Sequence, residues 1–322
     1  MKTTRNERPL RQGWVACALT LGLFGSAAGS SAVALPANSP GPLSLQDSDP
    51  QEKKDSEAKD EIKRLEAWPE VDERLVKSEV ERLRKSRVPE MGTQAAAALV
   101  EIGPGAAPGL LDKFGKEKDP EALERMREVL ETITGAEHTR LLAQYFSHGD
   151  LGTRTWVLYR VAGFPDAGLR EGAEKAFKAA NARKRGRDDN EIFAAAVCAA
   201  STGSFDGFDL ICADTESNWK EHGKLTHTAL GALRGAEATS RVAPLLAEGS
   251  RKGKVAALRL LAACGDKATA APLVRPILDS TDNTLRVAAI NALRGIVDGD
   301  PPLDKLPVFE AIERANKWKS RL

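Results

Sequence analysis

The sequence predicts an all-α chain, a right-handed α-solenoid of about seven helix-pair repeats behind an N-terminal helical cap. Three observations lead there. Apolar residues recur at helical spacing in blocks about 32 residues apart. A second apolar pair follows each block, often just after a proline. Neighbouring blocks echo one another in sequence, as Ala229-Leu-Gly-Ala-Leu-Arg-Gly235 does in Ala289-Ile-Asn-Ala-Leu-Arg-Gly295. A fixed period of this length is the mark of a repeat architecture.

The 322 residues carry 47 Lys and Arg against 46 Asp and Glu, with 42% hydrophobic and 29% charged side chains. That composition excludes a wholly disordered chain and a multi-span membrane protein. In chain order, Lys2, Arg5, Arg8 and Arg11 precede an apolar stretch, Trp14 to Gly25, and then a small-residue site ending at Ala34. Basic, apolar and small-residue regions in this order predict a Sec-type signal peptide over 1–34, cleaved after Ala34, and export to the periplasm or beyond. An uncleaved anchor from Trp14 to Leu35 is the alternative. Removing 1–34 leaves 43 basic and 45 acidic residues, formally −2. A general nucleic-acid binder would show a basic excess, so no nucleic-acid partner is expected, nor a membrane span after cleavage.

Residues 35–52, rich in Pro, Ser, Gly and Asp, read as a disordered linker. Residues 53–89 read as a helical cap. Its first helix carries the pairs Asp55/Lys59 and Asp60/Arg64, and its second, after Pro69, places Leu75, Val76, Val80 and Leu83 on one face. A polar end unit is what a stack of repeats requires.

The repeat array covers 90–322. Its anchors are Leu99, Leu130, Val161, Val197, Leu233, Leu261 and Leu293, spaced by 31, 31, 36, 36, 28 and 32 residues. Four residues before them stand Ala95, Met126, Val157, Phe193, Ala229, Ala257 and Ala289, and three after stand Ile102, Ile133, Phe164, Ala200, Ala236, Cys264 and Ile296. Positions i−4, i and i+3 make one stripe on a helix. The second helices are expected to bury Leu110-Leu111, Leu141-Leu142, Leu210-Ile211, Leu245-Leu246, Leu273-Val274 and Val308-Phe309, with Leu169, Ala173 and Phe177 in the third unit. Pro108, Pro244, Pro272 and Pro307 fall where a first helical turn tolerates proline. Asp119, Asp150 and Asp282 precede their anchors by eleven residues, and Arg154, Lys254 and Arg286 lie where they can meet a neighbour's Asp in a polar ladder.

These features carry a resemblance. Asp282-Asn-Thr-Leu-Arg286-Val-Ala-Ala-Ile-Asn-Ala-Leu293, and Ala95 to Phe114 with Gly103-Pro-Gly-Ala-Ala-Pro-Gly-Leu-Leu111, resemble a HEAT repeat of the short kind found in phycobilisome-lyase-like proteins. The likeness implies an architecture rather than an activity. It implies a non-catalytic surface that holds a protein, peptide or polymer, lined by the second helices. An enzyme or chromophore-lyase-type module on the same repeat is the alternative.

No catalytic, cofactor or metal site is expected: H-E-x-x-H, G-x-S-x-G and Walker A are missing, and His222 and His227 fall on different helix faces. Cys198, Cys212 and Cys264 read as small buried hydrophobes, with a Cys198–Cys212 bridge as the alternative. The binding candidates are the basic turn Arg183, Lys184, Arg185 and Arg187, and the off-stripe Trp156 and Trp219. The turn is either a solvated loop or a surface for an acidic partner or lipid head groups. The two Trp either pack between units or anchor an interface.

Overall fold

The computed structural model describes residues 64–85, 88–303 and 305–322. The expected signal peptide and linker, and the first cap helix before Arg64, lie outside the described residues; from Arg64 to Asp72 the chain is not helical. Those described form one unit and are all-helical, with fifteen α-helices and no named strand. None is long and apolar enough to cross a membrane.

The helices are α1 (Glu73–Lys85), α2 (Pro89–Ile102), α3 (Ala107–Phe114), α4 (Pro120–Ile133), α5 (Thr139–Ala143), α6 (Leu151–Gly163), α7 (Arg170–Ala182), α8 (Asp189–Ser201), α9 (Phe208–Ser217), α10 (Trp219–Leu230), α11 (Ala236–Glu248), α12 (Arg251–Cys264), α13 (Lys267–Val274), α14 (Asn283–Leu293) and α15 (Val308–Arg321). Their starts follow local chemistry. Asp119, Asp188, Ser250, Asp266 and Asp282 each accept a backbone N–H from the first turn they precede, satisfying a donor with no intrahelical partner. Pro89 and Pro120 occupy first turns, where a missing N–H costs nothing.

The even-numbered helices from α2 to α14 carry the stripe. Every anchor is buried, and so is every residue four before it. Leu233 lies in a 3-10 turn that ends α10, so Ala236, three residues on, opens α11 and is exposed. Ile102 and Phe164 are half-buried. The odd-numbered helices bury Leu110, Leu111, Leu141, Leu142, Ile211, Leu246 and Val274. Each packs on the even helix that follows it: α3 on α4, α5 on α6, α7 on α8, α9 on α10, α11 on α12, α13 on α14. Even helices also follow one another, α2 on α4, α6 on α8, α8 on α10, α10 on α12 and α12 on α14. Side chains make much of the join of α6 to the preceding pair: the Thr153 hydroxyl donates to Leu111 O of α3 at 2.9 Å, and the Arg160 guanidinium donates to Glu131 O of α4 at 2.6 Å.

Five expectations need correction. Leu75 is exposed, because α1 turns Val76, Val80 and Leu83 inward instead, with Glu79 beside them. In the pairs of α9, α11 and α13 only the second member is buried; Leu210 and Leu273 are exposed and Leu245 is half-buried, since adjacent residues on a helix point about 100° apart. Pro244 and Pro272 lie inside α11 and α13, which begin well before them at Ala236 and Lys267. Val308 and Phe309 are exposed, Phe309 at 88%, because α15 packs through Ala311, Ala315 and Trp318. The polar ladder is built differently: Arg286 donates to Ser280 O at 2.6 Å, Arg154 reaches Glu191, and Asp282 is met by Arg251 from α12.

Helix α8 is the most deeply set. Its residues from Glu191 to Ser201 are all buried, and its alanines let α6 and α10, which flank it, touch one another. The turn that follows needs glycine at 207. Gly207 has φ +82°, and a Cβ there would stand 2.6 Å from Ala196 Cβ and 2.8 Å from the Phe177 ring. Gly207→Ala is therefore expected to cost about 3 kcal/mol in a urea melt, combining left-handed backbone strain with a clash against α8.

Candidate binding surface

The basic turn joins α7 to α8. Gly186, at φ +66°, lets the chain reverse there. Arg183 folds back, half-buried, and its Nη1 donates to the Glu191 carboxylate. Arg154 Nε donates to the other Glu191 oxygen at 2.6 Å, while its Nη1 donates to His148 O and Gly149 O at 2.6 and 2.9 Å. Both Glu191 and Arg154 are buried. Burial alone would raise the Glu191 carboxyl, but the hydrogen bonds and charges of Arg154 and Arg183 outweigh it and hold the group below its ordinary range. Arg183 thus serves the fold. Lys184, Arg185 and Arg187 remain exposed, with Arg187 3.4 Å from Asp189.

The two tryptophans part company. Trp156 is buried against Phe114, ring centroids 5.9 Å apart, and so offers no ring to a partner. Its place off the stripe turns it toward α3, the helix that carries Phe114. Trp219 opens α10 and is half-buried. Its indole lies over Gly223, where a Cβ would come within 2.7 Å of the ring, and the Arg259 guanidinium from α12 lies over it at 4.9 Å.

Around Trp219 the structure assembles groups that the sequence keeps far apart. His222, one turn along α10, stacks on Phe193 of α8 at 4.4 Å and 20°. Its Nδ1 lies 2.9 Å from Asp214 Oδ2, and Asn218 donates to Asp214 Oδ1 at 2.7 Å. Phe193 in turn meets the Tyr159 ring of α6 at 6.4 Å, and the Tyr159 hydroxyl donates to Asn190 Oδ1 at 2.5 Å. Tyr159, Phe193, His222, Trp219 and Arg259 therefore form a strip over α6, α8, α10 and α12. The basic turn enters α8 three residues before Asn190.

Of this strip only Trp219 stands out in the sequence. Arg259 looks there like any solvated arginine on a helix, and its partner is forty residues earlier. Phe193 looks like core, which at 7% exposure it mostly is.

A histidine paired with a carboxylate is also the geometry of a general base. Among the described residues, however, no hydroxyl or thiol is hydrogen-bonded to His222, and no group of three His, Cys, Asp or Glu could hold a metal. Cys198, Cys212 and Cys264 are free, so Cys198 and Cys212 are unbridged. Burial pushes the thiols of Cys212 and Cys264 up to about 12, which leaves them as packing groups rather than nucleophiles.

No protein-family model matches this chain, and no curated protein matches it. Among solved structures, the crystal structure of an engineered protein is similar at 19% identity over 75% of this chain and 71% of its own, with a TM-score of 0.37.

Proposed function

We propose that this protein is an exported, non-catalytic binding or scaffolding module: a right-handed α-solenoid of HEAT-like helix pairs that holds a protein or peptide partner. The observation that carries this reading is the strip from Tyr159 to Arg259. It draws aromatic and hydrogen-bonding side chains from four even-numbered helices onto one surface. Aromatic and arginine side chains dominate the energetics of interfaces. The serial packing of α2 through α15, each helix touching near neighbours in the chain, supports the stack. The gripping surface then belongs to the first helices of the pairs, not to the second helices expected from the resemblance. Export rests on the pattern of basic, apolar and small residues over 1–34.

The test is site-specific photocrosslinking of the full chain in its native envelope. A crosslinking residue at Asn190 or Lys220 is expected to capture a defined partner, and one at Glu313 on the outer face of α15 is not. Trp219→Ala is expected to weaken capture about tenfold or more. Equal crosslinking from all three positions, or none from any, contradicts the reading. The mass of the mature protein checks cleavage after Ala34.

A further inference from the structure

Arg259 differs from the other guanidinium groups of the described residues. Most of those withdrawn from solvent have acceptors, Glu191 for Arg154, helix-end carbonyls for Arg160 and Glu117 for Arg84, while Arg125 reaches Leu83 O and leaves its Nε buried without a partner. Arg74 and Arg185, which lack a side-chain partner, are exposed to water. Arg259 is half-buried, and among the described residues it donates to no carboxylate, carbonyl or hydroxyl. Burial alone lowers its pKa, with no carboxylate close enough to oppose the effect. Its nitrogens are not sealed from water, as the buried and unpartnered Nε of Arg125 is, so its N–H donors stay open to an incoming acceptor. The Trp219 ring, its centroid 4.9 Å from Arg259 Cζ, holds the group by a cation–π contact and leaves N–H donors free to meet a planar carboxylate through two hydrogen bonds.

We propose that Arg259, held over the Trp219 ring, is the receptor for a carboxylate of an acidic peptide that lies along the strip toward α8. This rests on the binding reading above and adds the chemistry of the partner. Lys184, Arg185 and Arg187, exposed at the entry to α8 beside Asp188 and Asp189, add basic groups at the far end, and Tyr159 and His222 supply half-buried ring surface between, backed by the buried Phe193. The peptide's acidic groups complete the acceptors that Arg259 lacks. The basic turn speeds encounter, in a manner that weakens with salt.

The experiment pans a random octapeptide library against the full chain and against Arg259→Gln and Arg259→Lys, each shown by circular dichroism to melt like the parent. Enrichment of Asp and Glu is expected on the parent. Arg259→Gln is expected to weaken the enriched peptides about tenfold or more, and Arg259→Lys to restore part of the loss, since it keeps the charge without the fork. Replacing Asp and Glu by Asn and Gln in those peptides is expected to abolish binding. Failure to enrich acidic sequences, or binding indifferent to Arg259→Gln, overturns the proposal. Selective release by inorganic phosphate at constant ionic strength also overturns it, in favour of a phosphate site. Non-acidic peptides that still depend on Trp219 would leave the binding surface standing and remove only the carboxylate. No enrichment together with no crosslinking would remove both.

Discussion

Leu261→Asp is expected to unfold the chain around α12 and to cost about 4 kcal/mol or more. Leu261 is fully buried in a helix packed on α9, α10, α11 and α14. The substitution removes an isobutyl group from that packing and puts a carboxylate inside the apolar core. The carboxylate must be buried charged, be protonated at a cost that grows with pH, or open the surrounding helices. Each route is expensive, and the last exposes several neighbours at once. Leu261→Ala removes the packing alone and is expected to cost about 3 kcal/mol. Leu273→Asp, on the 41% exposed side of α13, is expected to change stability by about 0.5 kcal/mol or less. Urea melts of the three variants check the register. A Leu261→Asp chain that melts like the parent would place Leu261 at the surface.

Glu191→Ala is the second large effect. Glu191 neutralises two guanidiniums at once, and one of them, Arg154, is buried. Removing the carboxylate leaves Arg154 with two carbonyl acceptors and no countercharge, at a cost of about 3–5 kcal/mol. It frees Arg183 as well, so the basic turn loses its attachment to α8. Glu191→Gln keeps a hydrogen-bond acceptor and is expected to lose less. The pH dependence follows from the direction of the shift. A carboxyl held below its unfolded value contributes stability that is complete above that value and is lost as pH falls through the lowered, folded one. The difference between parent and Glu191→Gln is therefore expected to be full near neutrality and to vanish in acid, as thermal melts across pH would show.

The register is legible in the sequence because a buried helix face enforces its own spacing. Anchors such as Leu99 and Leu293 and the small residues before them can occupy no other place on a helix that must cover its neighbour. Misreadings arise where another force decides. Pro244 reads as a helix start because proline usually avoids an interior. The capping of α13 by Asp266, six residues before Pro272, shows how an earlier start takes precedence. Phe309 fits the repeat pattern by spacing alone, but α15 packs through its small residues. Glu191 reads as an ordinary acidic residue in a first helical turn, since nothing nearby in the sequence announces that Arg154 arrives from the preceding unit. The site is the least legible part. Trp219 is visible as a ring out of register, whereas its contact with Arg259, and the stack of His222 on Phe193, arise only when α8, α10 and α12 lie side by side.

If helix pairs pile up one on the next, stability is organised serially along the chain. Native-state hydrogen exchange of the parent at increasing denaturant tests this most directly. A serial stack predicts a gradient: strongest protection in α8, where side chains are most completely buried, falling away toward α1 on one side and α15 on the other. Amides that all open together, with one free energy and one denaturant dependence from α1 to α15, would contradict it.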